Sequence, residues 1–88
     1  MPARRDKMMI IADILAALQS KNLKFTHLLY KSNLSHARLK EYLEELLAKN
    51  MVAEIDTKEG KRYALTEEGA KFYQEYIRVN EFVKSFGL

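Results

Sequence analysis

The stretch FTHLLYKSNLSHARLKEYLEELLAKNMVAEIDTKEGKRYALTEEG, residues 25–69, contains the signals that decide the fold. Three times within it an apolar residue precedes a hydroxyl residue, at Thr26, Ser35 and Thr66. A hydroxyl oxygen in this position accepts a hydrogen bond from an otherwise unpaired amide of the first helical turn. The stretch therefore predicts three helix starts, each reached by a short connection.

The helices before the second of these starts follow from apolar spacing. An apolar stripe predicts a first helix over about residues 5–20, and a short second helix is expected over about residues 26–31. The stripe consists of Met8, Ile11, Ile14, Leu15 and Leu18. Asn22 is expected to end the first helix in the left-handed conformation that asparagine adopts where glycine is absent. Asn33 and Leu34 are expected to form a tight turn before the third helix.

The third helix and a hairpin complete the order of elements. The helix is predicted from Ser35 to about residue 49 with Asn50 at its end, and strands are predicted over residues 52–57 and 62–65. Between the strands, Gly60 supplies the positive φ that a compact hairpin loop requires. The order predicts a mostly α fold with a small β-hairpin (α+β), namely a winged helix-turn-helix followed by a long C-terminal helix. Residues 1–66 would form the winged helix-turn-helix and residues 67–88 the final helix, within one domain.

The last helix carries two apolar faces of different length. Ala70, Tyr73 and Ile77 form a face that suits packing on the chain's own domain. The other face continues to the end of the chain with the three-four alternation of a coiled coil. Its members are Gly69, Phe72, Tyr76, Val79, Val83 and Phe86, and all except Gly69 are predicted to form a homodimer interface. Because a helix of this length spans roughly 30 Å, its end is expected to project from the domain and to leave Phe82 exposed as well.

Composition excludes several classes of function. The chain has 88 residues and no cysteine, which excludes disulfides and thiolate metal sites. No apolar run is long enough to cross a bilayer, and we expect a cytoplasmic, nucleoid-associated protein. His27 and His36 have no partner at metal-ligand spacing, so both are predicted to be partly buried structural residues. No pair of ionisable groups stands at a catalytic spacing, so no enzyme activity, metal or cofactor is expected.

Basic residues mark the places where nucleic acid would bind. Residues 1–31 contain six basic and two acidic side chains, although the net charge of the chain is only +3. The third helix is expected to present its first turns to the major groove and the hairpin to contact phosphates. The predicted DNA-binding residues are Arg4 and Arg5 of the N-terminus, Ser35, Ala37, Arg38 and Lys40 of the third helix, and Lys58, Lys61 and Arg62 of the hairpin.

Two runs within these elements resemble a known family. NLSHARLKEYLE (residues 33–44) followed by YALTEEG (residues 63–69) is similar to the archaeal winged-helix proteins with a long C-terminal helix. The resemblance covers about residues 11–86 and implies a small DNA-binding protein that dimerises through an antiparallel coiled coil. Two positions depart from the family pattern: Asn50 stands where glycine is usual before the hairpin, and His36 where an aromatic residue is common.

The leading hypothesis is therefore a homodimeric protein that binds double-stranded DNA, either as a transcriptional regulator or as a small chromatin-like protein. A protein-interaction winged helix without DNA contact is the alternative. Glu41, Glu44 and Glu45 on the third helix favour the alternative because they repel phosphate, whereas the hairpin lysines favour DNA. The sequence does not specify a target site, an effector or the direction of the helix pairing.

Overall fold

Four helices and a three-stranded sheet make up the computed structural model, which describes residues 5–88. The elements are α1 (Lys7–Ala17), β1 (Leu23–Lys24), α2 (Phe25–Ser32), α3 (His36–Ala48), β2 (Val52–Thr57), β3 (Gly60–Leu65) and α4 (Glu67–Ser85). The predicted order is confirmed, with one strand added between the first two helices. The sheet is antiparallel and has the order β1-β3-β2.

Helix α1 is shorter than its apolar stripe predicts. Asp6 caps it by accepting a hydrogen bond from the Met9 amide (2.8 Å). At the other end the Leu18 amide donates to the Leu15 carbonyl three residues back, which tightens the last turn and ends the helix. The prediction that Asn22 ends α1 in the left-handed conformation is wrong. Among residues 5–88 the non-glycine residues with positive φ are Asn33 and Asn50, so Asn22 does not adopt that conformation. The chain instead becomes extended to bring Leu23 into the sheet.

Strand β1 was not predicted, and it changes the start of α2. Leu23 pairs with Tyr63 and Lys24 pairs with Arg62, so the chain is extended until the residue before the helix. Helix α2 consequently begins at Phe25, and its N-cap Lys24 makes no side-chain capping bond. The predicted cap at Thr26 is therefore wrong.

The connection from α2 to α3 confirms the predicted tight turn. Asn33 has a φ of 56°, so its left-handed backbone reverses the chain within a few residues. The Ser35 hydroxyl then accepts a hydrogen bond from the Arg38 amide at 3.2 Å and caps α3 as expected. After α3, Asn50 adopts a φ of 60°, which confirms its predicted role in ending the helix.

The hairpin loop is tighter than predicted. β3 begins at Gly60 rather than at residue 62, so only Lys58 and Glu59 lie between the strands. Gly60 has a φ of 114°, as the compact loop requires. The Thr57 hydroxyl closes the loop by donating to the Gly60 carbonyl at 2.6 Å.

Helix α4 is fastened to the domain at its first turn. The Thr66 hydroxyl accepts a hydrogen bond from the Gly69 amide (3.0 Å) and donates to the Asn50 carbonyl (2.6 Å). The cap predicted at Thr66 is thus confirmed. Gly69 is buried against the Met51 carbonyl oxygen, so its predicted place on the coiled-coil face is wrong.

The core lies between α1, α2, α3 and the inner face of the sheet. It consists of Ile10, Ile11, Ile14, Leu15, Leu18, Leu23, Leu28, Leu39, Leu43, Leu46 and Val52. Met8 belongs to the apolar stripe that predicts α1 but is exposed, whereas Ile10, which is not in that stripe, is buried. Burying each large apolar side chain contributes about 1.5–3 kcal/mol, so this cluster holds α3 in a fixed orientation on the domain.

Candidate nucleic-acid interface

Helix α3 separates a buried face from an exposed one. Leu39, Leu43 and Leu46 are almost completely buried. The exposed face contains Ala37, Arg38, Lys40, Glu41 and Glu44, of which the first three are predicted DNA-binding residues. Ser35 is also exposed, and its hydroxyl retains a proton to donate while its oxygen serves as the cap. The structure therefore brings the four predicted residues of this helix together on its first turns.

Arg38 lies beside an aromatic ring and an ion pair. Its guanidinium carbon is 5.9 Å from the centre of the Tyr42 ring, within the range of a cation–π contact. Lys7 Nζ of α1 lies 2.8 Å from Glu45 Oε2. Arg38, Tyr42, Lys7, Glu41 and Glu45 line one surface hollow.

The ion pair in this hollow changes the charge beside Arg38. The hydrogen bond from Lys7 lowers the pKa of Glu45, and the same hydrogen bond raises the pKa of Lys7. Each group is thereby kept in its charged form. One of the three glutamates expected to repel DNA is thus neutralised by a lysine from α1, which the sequence did not indicate.

The three basic residues of the wing, defined as β2, β3 and their loop, differ in position. Lys58 is exposed in the loop. Lys61 Nζ lies 2.8 Å from Glu54 Oε2 on the neighbouring strand, and this hydrogen bond raises the pKa of Lys61. Arg62 is the next residue along β3, so it points to the opposite face of the sheet. Lys61 is therefore paired with an acid, and Arg62 lies on the other face of the sheet.

Arg5 is held against the domain. Its guanidinium forms an ion pair with Asp13 at 2.9 Å and donates to the Asn33 carbonyl at 3.5 Å. Arg5 thus joins α1 to the turn between α2 and α3, a contact that was not predicted. Arg4 lies outside the described residues.

The predicted dimer residues of α4 fall into two groups. Phe72 packs against the core and Tyr76 is half-buried, and both line an apolar hollow with Met8 and Val79. The second group is exposed and lies near the end of α4, where all residues from 81 to 88 are exposed. We call this group, together with the neighbouring Phe82, the terminal stripe; it consists of Val79 (58% exposed), Phe82 (60%), Val83 (40%) and Phe86 (68%). The expectation that the end of α4 projects from the domain is confirmed.

The terminal stripe contains an aromatic pair. The ring centres of Phe82 and Phe86 lie 5.1 Å apart. Phe82 was not among the residues assigned to the dimer interface, although the sequence shows it on the same side of the helix. The four exposed apolar side chains thus lie on one side of the end of α4.

The histidines do not form a site. Both His27 and His36 are exposed, so the prediction of partly buried side chains is wrong. The His36 ring lies 4.7 Å from the Phe25 ring, centre to centre, and thereby joins the start of α3 to the start of α2. Within residues 5–88, no group of three histidine, cysteine, aspartate or glutamate side chains is placed to hold a metal ion. Over the same residues, no helix has the length and apolar character needed to span a membrane.

Lys24 is a basic residue beside the wing that the sequence did not single out. It lies in β1 directly opposite Arg62 of the wing. Its place depends on a strand of two residues, which is too short to leave an alternating pattern. No local signal in the sequence would have found it.

A helix-turn-helix followed by a β-hairpin, with both packed together through a three-stranded sheet, defines the winged-helix class of proteins. The chain belongs to the winged helix-turn-helix family, whose model matches residues 4–84. A further relative is an uncharacterised protein of Methanocaldococcus jannaschii, which is 38% identical over 53 residues. The matched segment covers 60% of this chain but only 25% of that protein.

Solved structures share the same fold. Sso10a-2, a DNA-binding protein from Sulfolobus solfataricus, superposes with a TM-score of 0.75 at 23% identity, over 94% of this chain and 90% of that protein. ZitR from Lactococcus lactis superposes with a TM-score of 0.75 at 17% identity, over 97% of this chain and 62% of the ZitR chain. The adhesin competence repressor AdcR from Streptococcus pyogenes superposes with a TM-score of 0.72 at 21% identity, over 89% of this chain and 60% of the AdcR chain. Because all three identities are below 25%, these comparisons show that the chain shares the fold of these proteins.

Proposed function

We propose that this chain is a homodimeric DNA-binding protein, either a transcriptional regulator or a small chromatin-like protein, and not an enzyme. The observation that carries the proposal is the exposed start of α3, where Arg38, Lys40 and the hydroxyl of Ser35 stand on a helix fixed by a buried opposite face. In helix-turn-helix proteins this segment enters the major groove. The fold shared with Sso10a-2, a DNA-binding protein, supports the proposal.

Each group of residues would have its own role on the duplex. Arg38 is suited to a guanine edge, which accepts two hydrogen bonds from a guanidinium, and Ala37 to a thymine methyl group. Lys40 and Ser35 would contact phosphates, which position the protein without reading sequence. In the wing, Lys58 and Arg62 would contact the backbone directly, whereas Lys61 would first have to leave Glu54.

The N-terminal residues would contribute differently from the wing. Arg5 is part of the proposed interface only if phosphate competes with Asp13 for its guanidinium. Because the ion pair is solvent-accessible, its net stabilisation is small and a phosphate can replace the carboxylate. Arg4 would extend the same basic segment.

Dimerisation through α4 is the second part of the proposal. The terminal stripe leaves two phenylalanines and two valines in water, and covering each with a second copy would contribute up to about 1.5–3 kcal/mol. Phe72 and Tyr76 already pack on their own domain, so the new contact would concentrate on the stripe. The resemblance to archaeal relatives favours an antiparallel arrangement. Two copies would then present two α3 helices to one duplex.

A protein-interaction role is the alternative, and one observation favours it. Glu41 and Glu44 are both exposed on α3, where they would oppose phosphate. Under this alternative the chain would bind a protein through α3 and would show no affinity for duplex DNA at low salt.

The salt dependence of duplex binding tests the proposal. We expect the unmodified chain to bind a random-sequence duplex, with a slope of log affinity against log salt of about −0.9 for each phosphate neutralised. Changing Lys58, Lys61 and Arg62 together to alanine should flatten the slope by up to about two to three units. The matched control changes Lys49, Lys71 and Lys84 to alanine, which removes the same charge outside the candidate interface. If the unmodified chain binds no duplex at low salt, the alternative is supported. If the triple wing variant has the same salt slope as the unmodified chain, the wing does not contact the DNA backbone.

A further inference from the structure

The outer face of the sheet carries basic side chains and no acidic ones. Side chains directly opposite each other in an antiparallel pair lie on the same face. Glu54 is opposite Tyr63, and Asp56 is opposite Lys61, so these acids share the face that packs toward the core. The outer face of β1, β2 and β3 contains Lys24, Ala53, Ile55, Thr57, Gly60, Arg62 and Ala64. Its only charges are those of Lys24 and Arg62.

These two cations face each other across adjacent strands. Directly opposite residues have β-carbons about 4.5–5.5 Å apart, and like charges at that spacing destabilise a sheet. Neither Lys24 nor Arg62 takes part in an ion pair or a side-chain hydrogen bond within the part of the chain that the structure describes. Both side chains are half-buried, and Ile55 lies opposite Arg62 on its other side, so the two cations share a partly enclosed part of this face. The arrangement costs stability in the isolated chain and complements an anion.

We propose that Lys24 and Arg62 together bind a single phosphate of the DNA backbone, which adds Lys24 to the interface. This inference rests on the proposed function. A phosphate between the two side chains would replace their repulsion by two attractions, and the planar guanidinium can donate two hydrogen bonds to it. Lys24 immediately precedes α2, and the first helix of a helix-turn-helix crosses the backbone. The shared phosphate would therefore connect the helix-turn-helix to the wing.

The proposal predicts opposite effects on folding and on binding. Changing Lys24 to glutamine removes the repulsion, so the urea midpoint of unfolding should stay the same or rise. The same change removes one of the two groups that hold the phosphate, so duplex affinity should fall by about two- to tenfold. A residue with a purely structural role would lower the midpoint.

The test compares Lys24→Gln, Arg62→Gln and the double variant by fluorescence anisotropy on a random 30-base-pair duplex over a series of salt concentrations. If the two residues share one phosphate, the double variant should flatten the salt slope by about 0.9, whereas two separate phosphates would flatten it by about 1.8. Lys71→Gln is the matched control, because Lys71 is exposed on α4 and outside the sheet. Circular dichroism and the urea midpoint establish that each variant is folded.

Three results would overturn the inference. If Lys24→Gln binds with the affinity and slope of Lys71→Gln, Lys24 does not contact the backbone and the proposed function is unaffected. A flattening of about 1.8 would assign separate phosphates to Lys24 and Arg62. If the unmodified chain binds no duplex at low salt, the proposed function and this inference fail together.

Discussion

Gly69 of α4 lies directly against the carbonyl oxygen of Met51, with no room between them for a side chain. A β-carbon at Gly69 would overlap that oxygen and would lie 2.8 Å from Cδ1 of Leu65. The same Met51 carbonyl also accepts a hydrogen bond from the Thr66 amide at 3.2 Å. The first turn of α4 is therefore seated on the segment that joins α3 to the wing.

The Gly69→Ala variant should lose stability, although this change usually stabilises a helix. In an open helix, alanine in place of glycine is favourable by roughly 0.5–1 kcal/mol. Here the added carbon must displace backbone, so we expect a net loss of about 1–3 kcal/mol in the free energy of unfolding. Urea denaturation measures it, with Lys71→Ala in the same helix as the control. A gain in stability would show that α4 can move away from Met51 at little cost.

The two confirmed helix caps should differ in strength. Ser35→Ala removes one capping bond and should cost about 1 kcal/mol. Thr66→Ala removes a capping bond and also the bond to the Asn50 carbonyl, so we expect a loss of about 2 kcal/mol. Thr66→Ser should retain most of the stability because it retains the hydroxyl. Equal losses for the two alanine variants, measured by urea denaturation, would contradict a role for the Asn50 contact.

The pair between Lys7 and Glu45 should make stability depend on pH in acid. The pKa of Glu45 is lowered in the folded chain, so its contribution is complete above the ordinary value of 4.5 and is lost as the pH falls through the lowered pKa. Glu45→Gln should therefore destabilise the protein near neutral pH and have a smaller effect near pH 3. Thermal unfolding at both pH values measures this, and Glu44→Gln is the control. The difference should shrink at high salt because the pair is exposed; an effect independent of pH would exclude the ion pair as its source.

Arg38 should determine sequence preference more than overall affinity. If its guanidinium contacts a guanine edge, Arg38→Ala should lower the preference between duplexes by about 1–3 kcal/mol while random duplexes lose less. Lys40→Ala serves as the comparison and should weaken all duplexes alike. Competition binding against a pool of sequences measures both. Equal losses on every sequence for Arg38→Ala would make it a phosphate contact, as expected of a chromatin-like protein.

A charge placed in the terminal stripe should prevent dimerisation. Val83→Asp would put a carboxylate where the second copy is expected to cover apolar side chains, and burying an unpaired charge is highly unfavourable. We expect a monomer by light scattering and weaker duplex binding, because two linked α3 helices bind more tightly than one. Ser85→Asp, on a different side of α4, is the control. If the unmodified protein is already monomeric at tens of micromolar, the proposal of a homodimer through the stripe fails.

The features predicted correctly from the sequence are those fixed by neighbouring residues. Ser35 and Thr66 each bond to an amide three positions later, and Asn50 and Gly60 adopt positive φ within the turns that contain them. Such local signals do not depend on the rest of the fold. They were sufficient to give the order of the elements and the class of the fold.

The features that were missed depend on partners far along the chain. Strand β1 exists because Leu23 pairs with Tyr63, and this pairing moved the start of α2 away from the expected cap at Thr26. The ion pairs at the candidate interface have the same origin. Lys7 of α1 reaches Glu45 of α3 only in the folded chain. The predicted DNA-binding residues Arg5 and Lys61 are paired with Asp13 and Glu54, so the list of basic residues overestimated the charge available to DNA.

Because Gly69 is packed against Met51, the length of α4 determines the direction in which the terminal stripe points. The helix runs without interruption from Glu67 to Ser85, so the terminal stripe is rigidly phased with respect to α3. Each residue inserted between Gly69 and Val79 would turn the stripe by about 100° around the helix axis. An insertion or deletion of about seven residues, close to two full turns, would restore its direction, while one of two residues would point it to the opposite side. The number of residues between Gly69 and Val79 therefore sets the direction in which the stripe would contact a second molecule.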